Sequence, residues 1–151
     1  MAEQTERKRL RPSLQQEAVV NILRTTAYLR RLGSRVFNQH GITAQQYNVL
    51  RILRGAGPAG LPTLDIAERM IEETPGITRL LDRLEAKKLV RRERPSDDRR
   101  QVLCYITKAG LDLLGKLDLP IENQGNDALQ VLNDSELAEL IRLLERVQAQ
   151  K

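Results

Sequence analysis

Between Thr74 and Thr107 the chain changes its hydrophobic period once, and that change restricts the fold more than any other feature of the sequence. Ile77, Leu80, Leu81 and Leu84 recur at helical spacing, so one side of this segment is apolar. Thr74 is placed to cap the helix and Pro75 to take its first position, where a missing N–H costs nothing. The opposite side is polar and carries Gly76, Thr78, Arg79, Asp82 and Arg83. Beyond Lys88 the pattern shortens: Val90–Arg94 and Val102–Ile106 read as two strands, joined by the polar loop Pro95–Gln101. A helix running into a basic hairpin is the outline of a recognition helix followed by a wing. The first turn of such a helix meets base edges and phosphates. The loop Asp97-Asp98-Arg99-Arg100 sets two guanidinium groups beside two carboxylates, which suits an arginine entering a narrow minor groove while an aspartate steadies it.

The flanking sequence supplies helices. Residues 1–12 read as a flexible basic arm ending at Pro12. From Ser13 to about Gln39, Leu14, Ala18, Val19, Ile22, Leu23, Leu29, Leu32 and Val36 keep near-helical spacing, and His40-Gly41 ends the run. Thr43 and Gln46 make a capping box, with Ile42 and Tyr47 as its hydrophobic staple, for a second helix from Ala44 to about Arg54 that turns Tyr47, Leu50 and Leu53 inward. Gly55–Gly60 is a loop by composition. A third helix from about Leu64 to Ile71 has Ile66, Ala67 and Met70 as its apolar side, and with the helix after Thr74 it constitutes a helix-turn-helix. Thr107 caps a further helix to about Leu132. Gly110, Gly115, Pro120 and Gly125 lie inside that helix, and Pro120 removes a backbone bond, so a kink or an interruption is expected. Asn133 with Glu136 forms a second capping box, Leu132 and Leu137 a second staple, and Leu137, Leu140, Ile141 and Leu144 a stripe.

The expected architecture is therefore mainly α with a small two- or three-stranded antiparallel wing. It divides into the arm 1–12, a winged helix-turn-helix at 42–107 and a helical region made of 13–41 and 108–151. The terminal helices carry more apolar surface than a winged helix of that size needs. A two-fold homodimer would bury it and set two recognition helices about one DNA turn apart. The alternative is that these stripes fold back over the chain's own core.

Charge agrees with a polyanionic partner. The chain carries +5 overall, with ten basic against seven acidic residues from Arg69 to Arg100, but three against six from Ile121 to Lys151. No stretch approaches the ~18–20 apolar residues of a membrane span, and Met1–Arg9 lacks the apolar core of a signal peptide, so a cytoplasmic protein without a membrane partner is expected. One cysteine and one histidine cannot form an internal disulfide or a multi-histidine metal site. The same scarcity leaves no nucleophile and base for an enzyme, and no Gly-rich phosphate loop calls for a nucleotide cofactor, so no cofactor is expected. None of the four aromatic residues, Tyr28, Phe37, Tyr47 and Tyr105, lies on the reading helix, which disfavours single strands and RNA.

The run Thr78-Arg79-Leu80-Leu81-Asp82-Arg83-Leu84-Glu85-Ala86-Lys87-Lys88-Leu89-Val90-Arg91-Arg92, followed by Asp98-Arg99-Arg100 and Ile106-Thr107-Lys108-Ala109-Gly110, resembles the MarR family of bacterial transcriptional regulators, and the resemblance extends from Leu14 to Val147. It implies an obligate homodimer that binds a short palindromic operator in double-stranded DNA, usually as a repressor released by a small ligand, phenolic or otherwise aromatic, or by an oxidant. By position it gives Thr74, Gly76, Thr78 and Arg79 the recognition role. It gives Asp98 and Arg100 the wing role, the aspartate orienting the arginine, and makes Arg99 a phosphate contact. Two departures stand out. Lys88 occupies the place where the family often ends this helix with glycine, so either a left-handed cap there is mildly strained or the turn differs. Gly76 has no side chain where the family often has a hydroxyl or amide, although its backbone can approach a phosphate closely.

Arg79, nearer the helix start, is the better phosphate or guanine reader. Arg83 is open between a DNA contact and an ion pair with a near carboxylate such as Asp82 or Glu85. Cys104 alternates with Val102 and Ile106 and is expected inside the wing as a small apolar filler rather than a redox sensor. His40 is either a helix-end cation or a ligand contact in a cleft that Tyr28, Phe37, Tyr47 and Arg51 could also line. The competing function is a winged-helix adaptor or anti-regulator that binds protein and not DNA.

Overall fold

A computed structural model of the chain describes residues 11–95 and 101–150. The capping signals read at Thr43, Thr107 and Asn133 act as expected. Ser13 opens α1 (Leu14–Gln39) with a capping box to Gln16, and Thr43 with Gln46 does the same for α2 (Ala44–Ala56). The Thr107 hydroxyl accepts the Gly110 N–H at the start of α5 (Lys108–Leu129), and Asn133 with Glu136 boxes α6 (Asp134–Gln148). Between them lie β1 (Leu61–Pro62), α3 (Thr63–Arg69), α4 (Ile77–Ala86), β2 (Val90–Glu93) and β3 (Leu103–Ile106).

The three strands form one antiparallel sheet in the order β1-β3-β2, with Leu61 opposite Cys104 and Val90 opposite Ile106. The third strand comes from the two residues after the segment read as loop, which the sequence reading assigned to no element. Gly60 at φ +69° lies so close to β3 that a Cβ there would stand 2.7 Å from the Cys104 carbonyl and from the Tyr105 ring. Only glycine brings the chain that near, and the approach lets Leu61 pair.

One core holds the middle of the chain together. Val49, Leu50 and Leu53 of α2, Ile66 of α3, Leu81 and Leu84 of α4, Cys104 of β3, and Leu114 and Leu117 of α5 are all 1% exposed or less. Of α1 only Phe37 is buried, and α6 buries nothing within a single chain. The alternative reading, intramolecular cover over the core, is therefore not seen for α6 or for most of α1. Where α1 crosses α5, the Gln124 amide donates to the Leu32 carbonyl. Arg54 of α2 binds Asp118 of α5 through two bonds of 2.9 and 3.0 Å.

Several boundaries differ from the sequence reading. α2 runs on to Ala56, and Gly57–Ala59 forms a 3-10 turn, so the glycine-rich loop is shorter than expected. α3 stops at Arg69 because Met70 is extended, and the Ile71 N–H donates to the Asn48 side chain at 2.9 Å. α5 passes through Pro120 as one helix instead of being interrupted. Pro120 is exposed, as is Lys116 one turn before it, so water can take the carbonyl that loses its donor.

Candidate nucleic-acid interface

The recognition helix begins later than Thr74-Pro75 suggested. Gly76 at φ 88° is the residue before α4, a left-handed conformation that a residue within a helix cannot have, so the first helical residue is Ile77. Thr74 does not cap it. Its hydroxyl donates to the Glu72 carbonyl at 3.1 Å and so belongs to the turn between α3 and α4. The correction leaves Gly76, Thr78 and Arg79 together at the helix start, all exposed, with Thr74 half-buried just before them. The carbonyl of Gly76 accepts the Leu80 N–H at 3.2 Å, while the N–H groups of the first turn remain without helical partners, as at any helix start.

Leu80, Leu81 and Leu84 are buried and Ile77 is half-buried, which fixes the rotation of α4 and turns Thr78, Arg79, Asp82 and Arg83 outward. The expected alternative for Arg83, a pair with Asp82 or Glu85, is not what these carboxylates do. Both belong to Arg92 of β2. Its backbone N–H and its Nε donate to Glu85 at 3.0 and 3.3 Å, and its Nη2 reaches Glu85 and Asp82 together. The Arg92 hydrogen bond holds the Glu85 carboxyl below its usual range, and the two carboxylates hold the guanidinium above its own. Two negative charges on the reading helix are thus compensated from the wing. Among the described residues Arg79 and Arg83 have no ion-pair partner.

Nothing in the sequence singled out Arg92. It is one of three arginines in the four residues Arg91–Arg94, and only the register that pairs it with Cys104 turns it toward α4. Its neighbour Arg91 lies with its guanidinium carbon 4.5 Å from the centre of the Tyr105 ring.

The far end of α4 is held as firmly. Lys88 adopts φ 60°, the Leu89 N–H bonds the Leu84 carbonyl at 3.0 Å and the Lys88 N–H bonds Glu85 at 2.9 Å. This is the left-handed Schellman ending with lysine in the glycine position. Lys87 donates to the Gly41 carbonyl and, at 3.2 Å, to Gln46. Cys104 is fully buried, as expected of a filler, and burial pushes its thiol upward. The wing residues Asp98, Arg99 and Arg100 lie outside the described residues.

Behind the helix-turn-helix, α1, α2 and the turn after α3 enclose a cleft of about 810 Å³. Phe37, Tyr47 and Arg51 line it, as expected; Tyr28 and His40 do not. His40 caps α1, with its Nδ1 3.0 Å from the Val36 carbonyl. Arg30 and Glu72, which the sequence reading passed over, meet as an ion pair at this cleft. Among the described residues, no helix is long and apolar enough to cross a membrane.

Comparison with known proteins agrees with this geometry. Residues 42–102 match the model of the MarR family. The chain is similar to the homoprotocatechuate degradative operon repressor of Escherichia coli, 29% identical over 110 residues that cover 73% of each protein. It superposes on a MarR transcription factor from Planctomyces limnophilus with a TM-score of 0.70 and 43% identity, covering 89% of this chain and 98% of that one. A mutant MarR of Escherichia coli, solved in complex with operator DNA, superposes with a TM-score of 0.78 and 26% identity over 90% of this chain and 99% of that one. The members of this family are transcriptional regulators, not enzymes. With a winged helix-turn-helix at its centre, the chain belongs to the MarR family of DNA-binding transcriptional regulators.

Proposed function

We propose that the protein is a homodimeric repressor that binds a palindromic operator through two copies of α4 and its wing, and leaves it when a small aromatic molecule occupies the cleft behind the helix-turn-helix. The observation that carries the reading is the charge arrangement on α4. Arg79 and Arg83 project from the outward face with no carboxylate partner among the described residues, while the two acidic groups beside them are compensated by Arg92. A surface that had only to be soluble would gain nothing from that separation; one that meets phosphates does. In this reading Thr74, Gly76, Thr78, Arg79 and Arg83 contact DNA from the recognition segment. Asp98 orients Arg100 into the minor groove, and Arg99 meets phosphate.

The dimer is supported by what a single chain leaves uncovered. Leu14, Val19 and Leu23 on α1, Leu119 on α5, and Ile141 and Val147 on α6 are each more than half exposed. A second copy that covers both ends of the chain makes residues 13–41 and 108–151 one helical dimerisation region, with 42–107 as the reading domain and 1–12 as a basic arm. Repression is supported by the similar homoprotocatechuate operon repressor, and operator binding by the similar MarR seen on its operator.

The test is selection of bound duplexes from a random pool, followed by titration of the recovered sequence at several salt concentrations. The reading expects a palindrome, one dimer per site, and affinity that falls steeply as salt rises. Failure to enrich any duplex, or a monomer at micromolar concentration, would refute it.

A further inference from the structure

The C-terminal ends of α1 and α4 meet at one ammonium group. α1 has no basic residue in its last turn, so no lysine or arginine there offsets the negative end of its backbone dipole. Lys87, the residue that ends α4, supplies that cation from 46 positions further along the chain. Its Nζ donates to the carbonyl of Gly41, just past the end of α1, and at 3.2 Å to Oε1 of Gln46 on α2. The same oxygen accepts the Thr43 N–H at 3.1 Å, and Gln46 is buried. The acceptor is thus held by the core and by the cap of α2. Among the described residues Lys87 has no carboxylate partner, so neutral carbonyl oxygens receive it.

The corner that receives Lys87 is where the long first helix turns into the reading domain. Gly41 takes φ +69°, and Ile42 is buried with its N–H on the Phe37 carbonyl at 3.2 Å, so the corner has little freedom of its own. On α4, Leu80, Leu81 and Leu84 decide which face turns inward, but apolar packing is non-directional and fixes tilt less firmly. Arg92 ties the middle of the helix to β2, and Lys87 ties its end to the corner. Gly76, Thr78 and Arg79 stand at the opposite end. Roughly 12 Å of helix separates Arg79 from Lys87, so a tilt of about 10° moves the reading end by roughly 2 Å. A hydrogen bond to a base edge does not survive such a shift, while attraction to the phosphates hardly changes.

We infer that Lys87 is a positioning residue for operator recognition: by holding the end of α4 to the corner between α1 and α2, it locks the tilt of the reading helix to the helix that enters the domain. It acts without touching DNA, because its ammonium is engaged by Gly41 and Gln46. The inference rests on the operator-binding reading above.

The test compares Lys87→Met with Lys88→Met, which removes the same charge from the adjacent exposed residue. Each protein is titrated on the selected operator and on a scrambled duplex of equal length, at several salt concentrations. Lys87→Met should lower the ratio of operator to scrambled affinity about tenfold, the order of one lost base contact, with an unchanged salt slope. Lys88→Met should keep the wild-type ratio. An equal fall on both duplexes, with a salt slope smaller by about one, would make Lys87 a phosphate contact and overturn the inference. An unchanged ratio overturns it as well. The tie is also read without DNA: amide hydrogen exchange in the last turn of α4 and at Gly41–Thr43 should quicken in Lys87→Met but not in Lys88→Met, at unchanged circular dichroism. If Lys87→Met loses helical signal, Lys87→Gln, a neutral donor, replaces it in the same comparison. A wild-type protein that prefers no duplex defeats the operator-binding reading, whereas exchange that is the same in both variants defeats the tie itself.

Discussion

Replacing Lys88 by glycine should stabilise the protein, and the size of the gain follows from one backbone angle. Lys88 ends α4 at φ 60°, where a side chain with a Cβ crowds the following carbonyl at a cost of about 1–2 kcal/mol. Glycine removes that crowding but loses more freedom on folding, by about 0.5–1 kcal/mol. The bonds that define this ending are retained, because the N–H to Glu85 and the carbonyl that accepts the Thr107 hydroxyl at 2.7 Å both belong to the backbone. The lysine side chain is exposed and has no ion pair among the described residues, so nothing else is lost. The net gain is about 0.5–1 kcal/mol, which for a chain of this length raises the melting temperature by roughly 1–4 °C. Urea denaturation of wild type, Lys88→Gly and Lys88→Ala at one fixed protein concentration is the measurement. Alanine keeps the Cβ and should change little. If alanine stabilised as much as glycine, or if glycine destabilised, the left-handed angle would not be the source of the strain.

Three further outcomes are expected. Arg100→Ala should weaken operator binding by about 1–3 kcal/mol in a titration at fixed salt, and Asp98→Ala should weaken it too although it removes a negative charge; tighter binding by Asp98→Ala would show that this carboxylate only repels DNA. Glu85 and Asp118 are held below their usual range by hydrogen bonds from Arg92 and Arg54, so the unfolded chain takes up protons before the folded one; the stability these pairs contribute at neutral pH should fall as pH drops below about 4.5, and Glu85→Gln should flatten that decline in urea titrations at stepped pH. Cys104 should resist a soluble thiol reagent in the native protein and react at the rate of a free thiol in urea, since it is fully buried and burial raises its pKa; rapid native labelling would contradict its place in the core.

The elements that could be read in the sequence are those whose signals are local. Thr43 with Gln46, Thr107, and Asn133 with Glu136 announce helix starts through side-chain bonds within three or four residues, and all three starts are where those residues put them. The stripe Leu80, Leu81 and Leu84 fixed which face of α4 turns outward before any packing was known. Thr74-Pro75 misled because a start signal competes with the residue after it, and Gly76 takes the left-handed angle that stops the helix from reaching back. Contacts between different elements left no pattern to read. Arg92 with Asp82 and Glu85 depends on strand register, and Arg30 with Glu72 joins residues 42 positions apart. Pairs at such separations follow from the fold and cannot be found by spacing. The wing tip, two arginines beside two aspartates, lies outside the described residues, so its role is proposed from composition alone.

α1 spans 26 residues, about 39 Å, yet Phe37 near its last turn is its only buried side chain. A lone copy thus holds this rod like a mast stepped at one end, and a solitary helix of that kind is marginal in water. In the proposed dimer its order comes largely from the second copy, so dilution should loosen α1 first while α2 and α4 stay protected by Leu50, Leu53, Leu81 and Leu84. The cleft draws one of its walls from that same rod, so the proposed dimer would tie the capacity to hold a small molecule to the number of protein molecules present.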